Sequence, residues 1–544
     1  MKTLNKLTCL VFAGASLASC NRPELTQAPF SKESIAAHIK TLSSDEFMGR
    51  KPFTAGETKT IAYLEEEFKK LGLEPGNGNS FLQDVPLVEI TPTASATMLV
   101  TSPKGNFTLK GFDDYVIWTQ RTDAKVSLDN DELVFAGYGI VAPELGWNDY
   151  AGLDVKGKVV LVMVNDPDFG TESDTTLFKG NTMTYYGRWT YKFEEAARQG
   201  AKGCLIIHDT AGASYGFNVI QNNWNAARLN LESKDYQCAA IGWVTGPTGK
   251  KLFEAAGLDT MLMVQAKQKG FKPVPMNLKL AASMQVKVKK DLSHNVVGKI
   301  TGSKHPEELI IYSAHWDHLG IGKPNAKGDS INNGALDNAS GTASLMEIAK
   351  VFKSLDPRPE RTIVFLSVTA EEQGLLGAAW YSKHPIYPAS QTVANINMDG
   401  MNVHGKTKDI VVVGVGQSEL EDMLREEAGK KDRYVAPEPH PEAGYYFRSD
   451  HFNFAKIGIP ALYLENGIDV IGKGKEYGKQ MADDYTKNYY HQPSDEFNPG
   501  WNYDGAIDDL ELLFNVGKRL AFSDKWPQWK PESEFKAIRD KEKK

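Results

Sequence analysis

Three apolar runs in the C-terminal half of this chain each end on acids or a histidine. His315 and Asp317 follow the run 309–314, Glu371 and Glu372 follow 362–370, and Asp399 follows 393–398. Further strand-like runs occupy 295–300, 410–413 and 459–464, and helical spacing marks 340–352, 375–382, 419–427 and 507–520. Strands alternating with helices predict an α/β fold, a mixed sheet with helices on both faces. In open sheets of this kind ligands bind beyond the carboxyl ends of the strands. Three separate strands would therefore deliver acids and an imidazole into one crevice.

Taken singly these residues have ordinary readings. A lone His315 is a hydrogen-bonded structural histidine, Glu371 and Glu372 are a solvated turn, and Asp337 caps the helix that begins near Ser340. Their convergence on one edge of one sheet outweighs those readings. Imidazole and carboxylate without thiolate suit a borderline or hard divalent ion such as zinc, cobalt or manganese. A catalytic ion keeps a position open, so about three protein ligands per ion are expected. Five ligands serve two ions if one carboxylate bridges.

The segments SAHWDHLG, GALDNASG, TAEEQGLLG, NINMDGMN, YFRSDHFNF and NYYHQPSDE stand in this order, and LSSDEFMGR lies near the N-terminus. Together they resemble the co-catalytic di-zinc exopeptidases that include bacterial leucine aminopeptidases and glutamate carboxypeptidase II. The resemblance implies that His315 and Asp399 bind one zinc ion, Glu372 and His491 bind the other, and Asp337 bridges them. It implies Glu371 as the general base that moves the water's proton to the leaving amine. No ligand of the pattern is missing, unlike in relatives that act only as receptors.

Asp317, two residues beyond His315, is expected to accept a hydrogen bond from its second ring nitrogen and fix the tautomer. Tyr446, three residues before Ser449, resembles the family tyrosine that donates to the developing oxyanion. His451 reads as structural, and Arg448 as either a contact for a substrate carboxylate or a surface ion pair. There is no GxSxG, P-loop or dinucleotide fingerprint after a strand, which leaves serine hydrolase, NTPase and dehydrogenase readings without support.

A chain of 544 residues is expected to fold as two or three units. Residues 1–19 read as a signal peptide, because Lys2 and Lys6 precede an apolar run shorter than the roughly 20 residues that span a bilayer. Leu17-Ala18-Ser19-Cys20 resembles a bacterial lipobox, which implies an exported lipoprotein anchored to a membrane through Cys20. Residues 20–130 are expected to contribute helices that pack on the catalytic domain. Residues 131–275 resemble a protease-associated domain, residues 276–530 form the catalytic domain, and 531–544 a charged tail. Cys204 and Cys238 either pair or remain two buried thiols. A formal net charge of −7 without a basic stripe argues against nucleic acid. The sequence thus predicts a metallopeptidase acting on peptides, an aminopeptidase before a carboxypeptidase-like or glutaminyl cyclase-like enzyme, with a non-catalytic binding protein as the remaining alternative.

Overall fold

The computed structural model describes residues 26–171 and 177–542. The expected signal segment and the anchor at Cys20 lie outside the described residues. The N-terminal helix Lys32–Leu42 starts where the Ser31 hydroxyl accepts from the Ser34 amide, and it buries Ile35, Ile39 and Leu42. With the next helix, Ala55–Lys70, it packs into the same apolar core as residues of the C-terminal half.

Four strands at the heart of that half run parallel, in the order Arg361–Val368, His305–His315, Thr392–Asn397 and Ala461–Glu465. The end of Val274–Ile300 joins antiparallel on one side, and Asp409–Val412 on the other. The sheet is therefore mixed, with an α/β architecture. Parallel strands are covered on both faces and need continuous apolar runs, and all of Arg361–Val368 is buried. Ile310, Tyr312 and Phe365 face the helices Ser340–Lys353 and Asp504–Ala521. Leu309, Ile311 and Leu366 face Ala378, Tyr381 and Phe454 on the other side. In the parallel register His315 is level with Val368, and Ser313 with Asn397. The runs 309–314, 362–370 and 393–398 thus end at one edge of the sheet.

A second unit has its own apolar core. Its parallel strands Lys125–Phe135, Val159–Met163, Gly203–Ile207 and Ala240–Val244 carry Tyr115–Trp118 antiparallel at the margin. A ribbon joins the two units. The strand Leu82–Ala94 pairs along Val274–Ile300, whose early residues also pair with Lys125–Phe135 and whose last residues pair with Arg361–Val368. Two expected divisions, 130/131 and 275/276, fall inside the strands Lys125–Phe135 and Val274–Ile300. The expected charged tail is also packed: Phe535 and Arg539 are each 2% exposed, and the Arg539 guanidinium donates to the carbonyls of Ala389 and Thr392. Cys204 and Cys238 are both free and buried.

Candidate metal centre

The five expected ligands converge. His315 Nε2 lies 3.2 Å from Asp399 Oδ1 and 3.4 Å from Asp337 Oδ1. His491 Nε2 lies 3.2 Å from Asp337 Oδ2 and 3.0 Å from Glu372 Oε2. Asp337 therefore turns one carboxylate oxygen toward each imidazole. Glu371 Oε2 stands 3.9 Å from His315 Nε2. Two sets, His315 with Asp337 and Glu372 and His315 with Glu371 and Asp399, each bring their donor atoms within 4.8 Å of one another. Both oxygens of buried Asp450 and Oδ2 of Asp317 have no hydrogen-bond partner. A buried surplus of carboxylate, faced by imidazole nitrogens, is the donor chemistry of a divalent-cation site.

Loops outside the strands hold this geometry. Gly334 approaches Asp337 at positive φ, and a Cβ there would lie 2.2 Å from the Asp337 carbonyl oxygen and 2.6 Å from the His318 ring. The Asp495 carboxylate accepts from the amides of Leu336 and Asp337, each at 3.0 Å. Asn338 links the Asp337 and Asp399 loops by donating to the Met398 carbonyl at 3.0 Å and accepting from the Gly400 amide at 3.1 Å. The Ser449 hydroxyl donates to Asp399 Oδ2 at 2.7 Å. Behind the cluster, the buried Arg50 guanidinium donates to the carbonyls of Leu42, Trp316, Asn333 and Gly334. A cavity of about 570 Å³ opens beside Asp495 and Leu336, walled by Tyr477, Tyr485, Phe497 and Trp501.

The acids and imidazoles act strongly on one another. Burial pulls the His315 imidazole down, but Glu371, Asp399 and Asp337 together outweigh it and hold the ring well above its ordinary range. Burial likewise opposes His491, which Glu372 and Asp337 raise to about 10. Burial pushes the Glu371 carboxyl well above the usual range, and it lifts Asp317 to about 7. Cations bound here would take over the role that protons play on these rings.

Asp317 differs from its expected role. The nearest acceptor to His315 Nδ1 is the Asp317 carbonyl oxygen, at 3.2 Å, with the carboxylate at 3.7 Å. Asp317 Oδ1 instead accepts from the Glu371 amide at 3.0 Å, so it holds the main chain of the expected base. Tyr446 is not brought to the cluster. Its ring packs on Phe447, His451 and Phe535, its hydroxyl is buried without a partner, and Glu534 is the carboxylate that acts on it. Apolar neighbours at this turn draw the ring inward, away from the acids. Tyr463, whose hydroxyl lies 3.4 Å from the Asp399 carbonyl oxygen, is nearer.

Four participants escaped the sequence reading. His318 Nδ1 hydrogen-bonds to Glu372 Oε1, and its place three residues after His315 was the available signal. Asp450 lies in YFRSDHFNF beside Ser449, and Asp495 in NYYHQPSDE four residues after His491. Arg50, within LSSDEFMGR, is 266 residues from the carbonyl it meets at Trp316 and had no local sign.

Residues 295–513 match the model of Peptidase family M28. Among curated proteins, the chain is 40% identical to carboxypeptidase Q of Rattus norvegicus over 89 residues, 16% of this chain and 17% of that protein. It is 34% identical to aminopeptidase NAALADL1 of Mus musculus over 138 residues, 24% of this chain and 17% of that protein. These matches span about a sixth of the relatives' length. Among solved structures, an aminopeptidase from Aneurinibacillus sp. strain AM-1 aligns over 93% of this chain and 95% of its own, at 19% identity and a TM-score of 0.48. The segment that matches the family model contains His315, Asp337, Glu371, Glu372, Asp399 and His491.

Proposed function

We propose that this chain is a metal-dependent exopeptidase, an aminopeptidase before a carboxypeptidase, that hydrolyses peptide bonds at a two-ion centre. The observation that carries the reading is Asp337, with one oxygen toward His315 and the other toward His491. His315 and Asp399 would hold one ion, His491 and Glu372 the other, and Asp337 both. Such ions, zinc with cobalt or manganese as alternatives, supply Lewis acidity toward water and a peptide carbonyl. Glu371 takes the proton from water on its carboxylate and returns it to the leaving nitrogen. Asp317 fixes the Glu371 backbone for that transfer. The names of the curated relatives, a carboxypeptidase and an aminopeptidase, support an exopeptidase and divide over the end attacked. Export and membrane anchoring through Cys20 belong to the same proposal and rest on the N-terminal sequence alone.

The test is hydrolysis of unblocked and N-blocked peptides by the purified protein, with and without chelator, beside Glu371→Ala and with metal content measured by elemental analysis. Chelation is expected to abolish hydrolysis, and the substitution to lower it by roughly 10²–10⁴-fold. Hydrolysis that survives both sinks the mechanism. Cleavage of N-blocked peptides alone transfers the protein to the carboxypeptidases, and one bound ion without hydrolysis to the cyclase-like enzymes. Loss of labelling by a fatty-acid probe in Cys20→Ala is the expected sign of the anchor, and unchanged labelling would refute it.

A further inference from the structure

Side chains two residues apart on a strand share a face of the sheet. On His305–His315 that puts Leu309, Ile311, Ser313 and His315 in one row, and on Thr392–Asn397 it puts Asn395 and Asn397 in a second row, two residues short of Asp399. The rows are neighbours, with Ile311 level with Asn395 and Ser313 with Asn397. The first begins in the apolar core, where Leu309 and Ile311 pack with Tyr381 and Phe454, and ends at the metal centre. Between core and centre stand three polar side chains, Ser313, Asn395 and Asn397, none more than 1% exposed. A hydroxyl or carboxamide is costly to bury unless it is hydrogen-bonded.

These groups bond in series. Asn395 Nδ2 donates to Ser313 Oγ at 2.9 Å, and the Ser313 hydroxyl donates to Asn397 Oδ1 at 2.7 Å. Asn397 Nδ2 donates to Ser449 Oγ at 2.8 Å, and the Ser449 hydroxyl donates to Asp399 Oδ2 at 2.7 Å. The anion at one end fixes every direction. A carboxylate only accepts, so Ser449 gives its single hydrogen to Asp399 and takes one from Asn397. Asn397 must then turn its oxygen to Ser313, which donates to it and accepts from Asn395. Bonds aligned in this way polarise one another, here toward Oδ2. Asp399 Oδ1 is left as the oxygen that faces His315 Nε2, at 3.2 Å. At the far end Asn395 Oδ1 is buried with no partner. Apolar side chains of the same shape would fill this place without an orphaned acceptor, so the value of the polar ones lies at the carboxylate.

We propose that Ser313, Asn395 and Asn397 are positioning residues for Asp399. Acting through Ser449, they engage Oδ2 and present Oδ1 to the ion that His315 and Asp399 would hold. Glu372 and His491, the proposed ligands of the other ion, bond to His318 and Asp337 instead. The buried chain therefore tunes one of the two ions and not the other. This positioning rests on the two-ion reading above, and it carries the metal centre two residues deep into the sheet.

Stepwise binding of zinc to the metal-free protein, followed calorimetrically, separates the two ions. Wild type is expected to give two dissociation constants. Ser313→Ala should weaken one of them by about tenfold, the low end for a group that supports a ligand, and leave the other at its wild-type value. Ser449→Ala cuts the chain beside Asp399 and should weaken the same constant. Ser313→Ala added to Ser449→Ala should then have no further effect, because the coupling runs through Ser449. Ser313→Cys, which keeps the volume and offers only a weak donor, replaces the alanine variant if that one does not fold. Equal weakening of both constants, additive effects of the two alanine substitutions, or a lower melting temperature with both constants unchanged overturns the proposal and leaves the chain a part of the fold alone. Hydrolysis does not enter the measurement. A protein that shows the expected zinc pattern and cleaves no peptide therefore upholds the positioning role while the peptidase reading fails, and a wild type that takes up no zinc overturns both.

Discussion

In the second unit Asp149 and Asp166 are buried near the buried Lys192, whereas in the catalytic sheet Asp337, Glu371, Asp399 and Asp450 gather around histidines. The first group is satisfied from within. Asp149 accepts from the Tyr138 and Ile140 amides and the Trp147 indole, Asp166 from the Thr184 amide and hydroxyl, and Lys192 Nζ donates to the Asn165 carbonyl. The second group leaves both oxygens of Asp450 without a partner and turns its other carboxylates toward the His315 ring. Buried charge that is internally satisfied serves the fold, and buried charge left open serves a ligand.

The largest effect is expected from Asp337→Asn, which removes the oxygen pair between His315 and His491. Bound metal, measured by elemental analysis, should fall from two ions per chain to one or none. Activity should fall by more than the about 10–100-fold typical of losing a group one step removed from the ion. Two retained ions would break the contrast, because the open cluster would then not depend on its shared carboxylate.

Lys192→Met tests the other side. It removes the charge that acts on the Asp149 and Asp166 carboxyls and the Nζ donor to the buried Asn165 carbonyl, and leaving a buried polar group unsatisfied costs about 1–3 kcal/mol. The melting temperature should drop while metal content per folded chain stays at the wild-type value. Lost metal at unchanged stability would reverse the roles assigned to the two regions.

That contrast also shows what the sequence made legible. The ends of the runs 309–314, 362–370 and 393–398 predicted the crevice, because a parallel strand buried on both faces declares itself as a continuous apolar run and its end declares where the sheet opens. His491 was reached through its segment alone, since it follows the polar helix Lys475–Asn488, of which Gly478 is the buried residue. The limits of the second unit were illegible because one strand, Val274–Ile300, passes through both sheets, pairing early with Lys125–Phe135 and late with Arg361–Val368. Tyr446 was misread because spacing along the chain does not reveal which way a ring turns when Phe447, Phe452 and Phe535 compete for it. Lys192 and Arg188 look like ordinary solvated charges until burial is known.

A smaller loss is expected from Arg50→Lys. The planar fork that joins the Leu42, Trp316, Asn333 and Gly334 carbonyls has no equivalent in an ammonium, which is a point donor on a flexible stem. Metal affinity should weaken by about tenfold, the low end for a supporting group, with a modest fall in melting temperature. Unchanged affinity would mean that the His315 and Asp337 loops hold their shape without the arginine and that Arg50 belongs to the satisfied class of buried charge.

Glu438 marks the boundary between the two classes. It is partly buried and accepts from the Gly414 amide at 3.2 Å. Burial, with Glu465 and Glu442 adding to it against His440, raises its carboxyl to about 7. Between the ordinary carboxyl range and pH 7 the folded protein therefore holds a proton that the unfolded chain has released, so stability falls as pH rises through that window. Glu438→Gln stays neutral throughout and should remove that part of the slope when melting temperature is followed from pH 4.5 to 7.5. A slope identical to wild type would mean that Glu438 releases its proton in the ordinary carboxyl range, and would narrow the open class to the carboxylates that face His315 and His491.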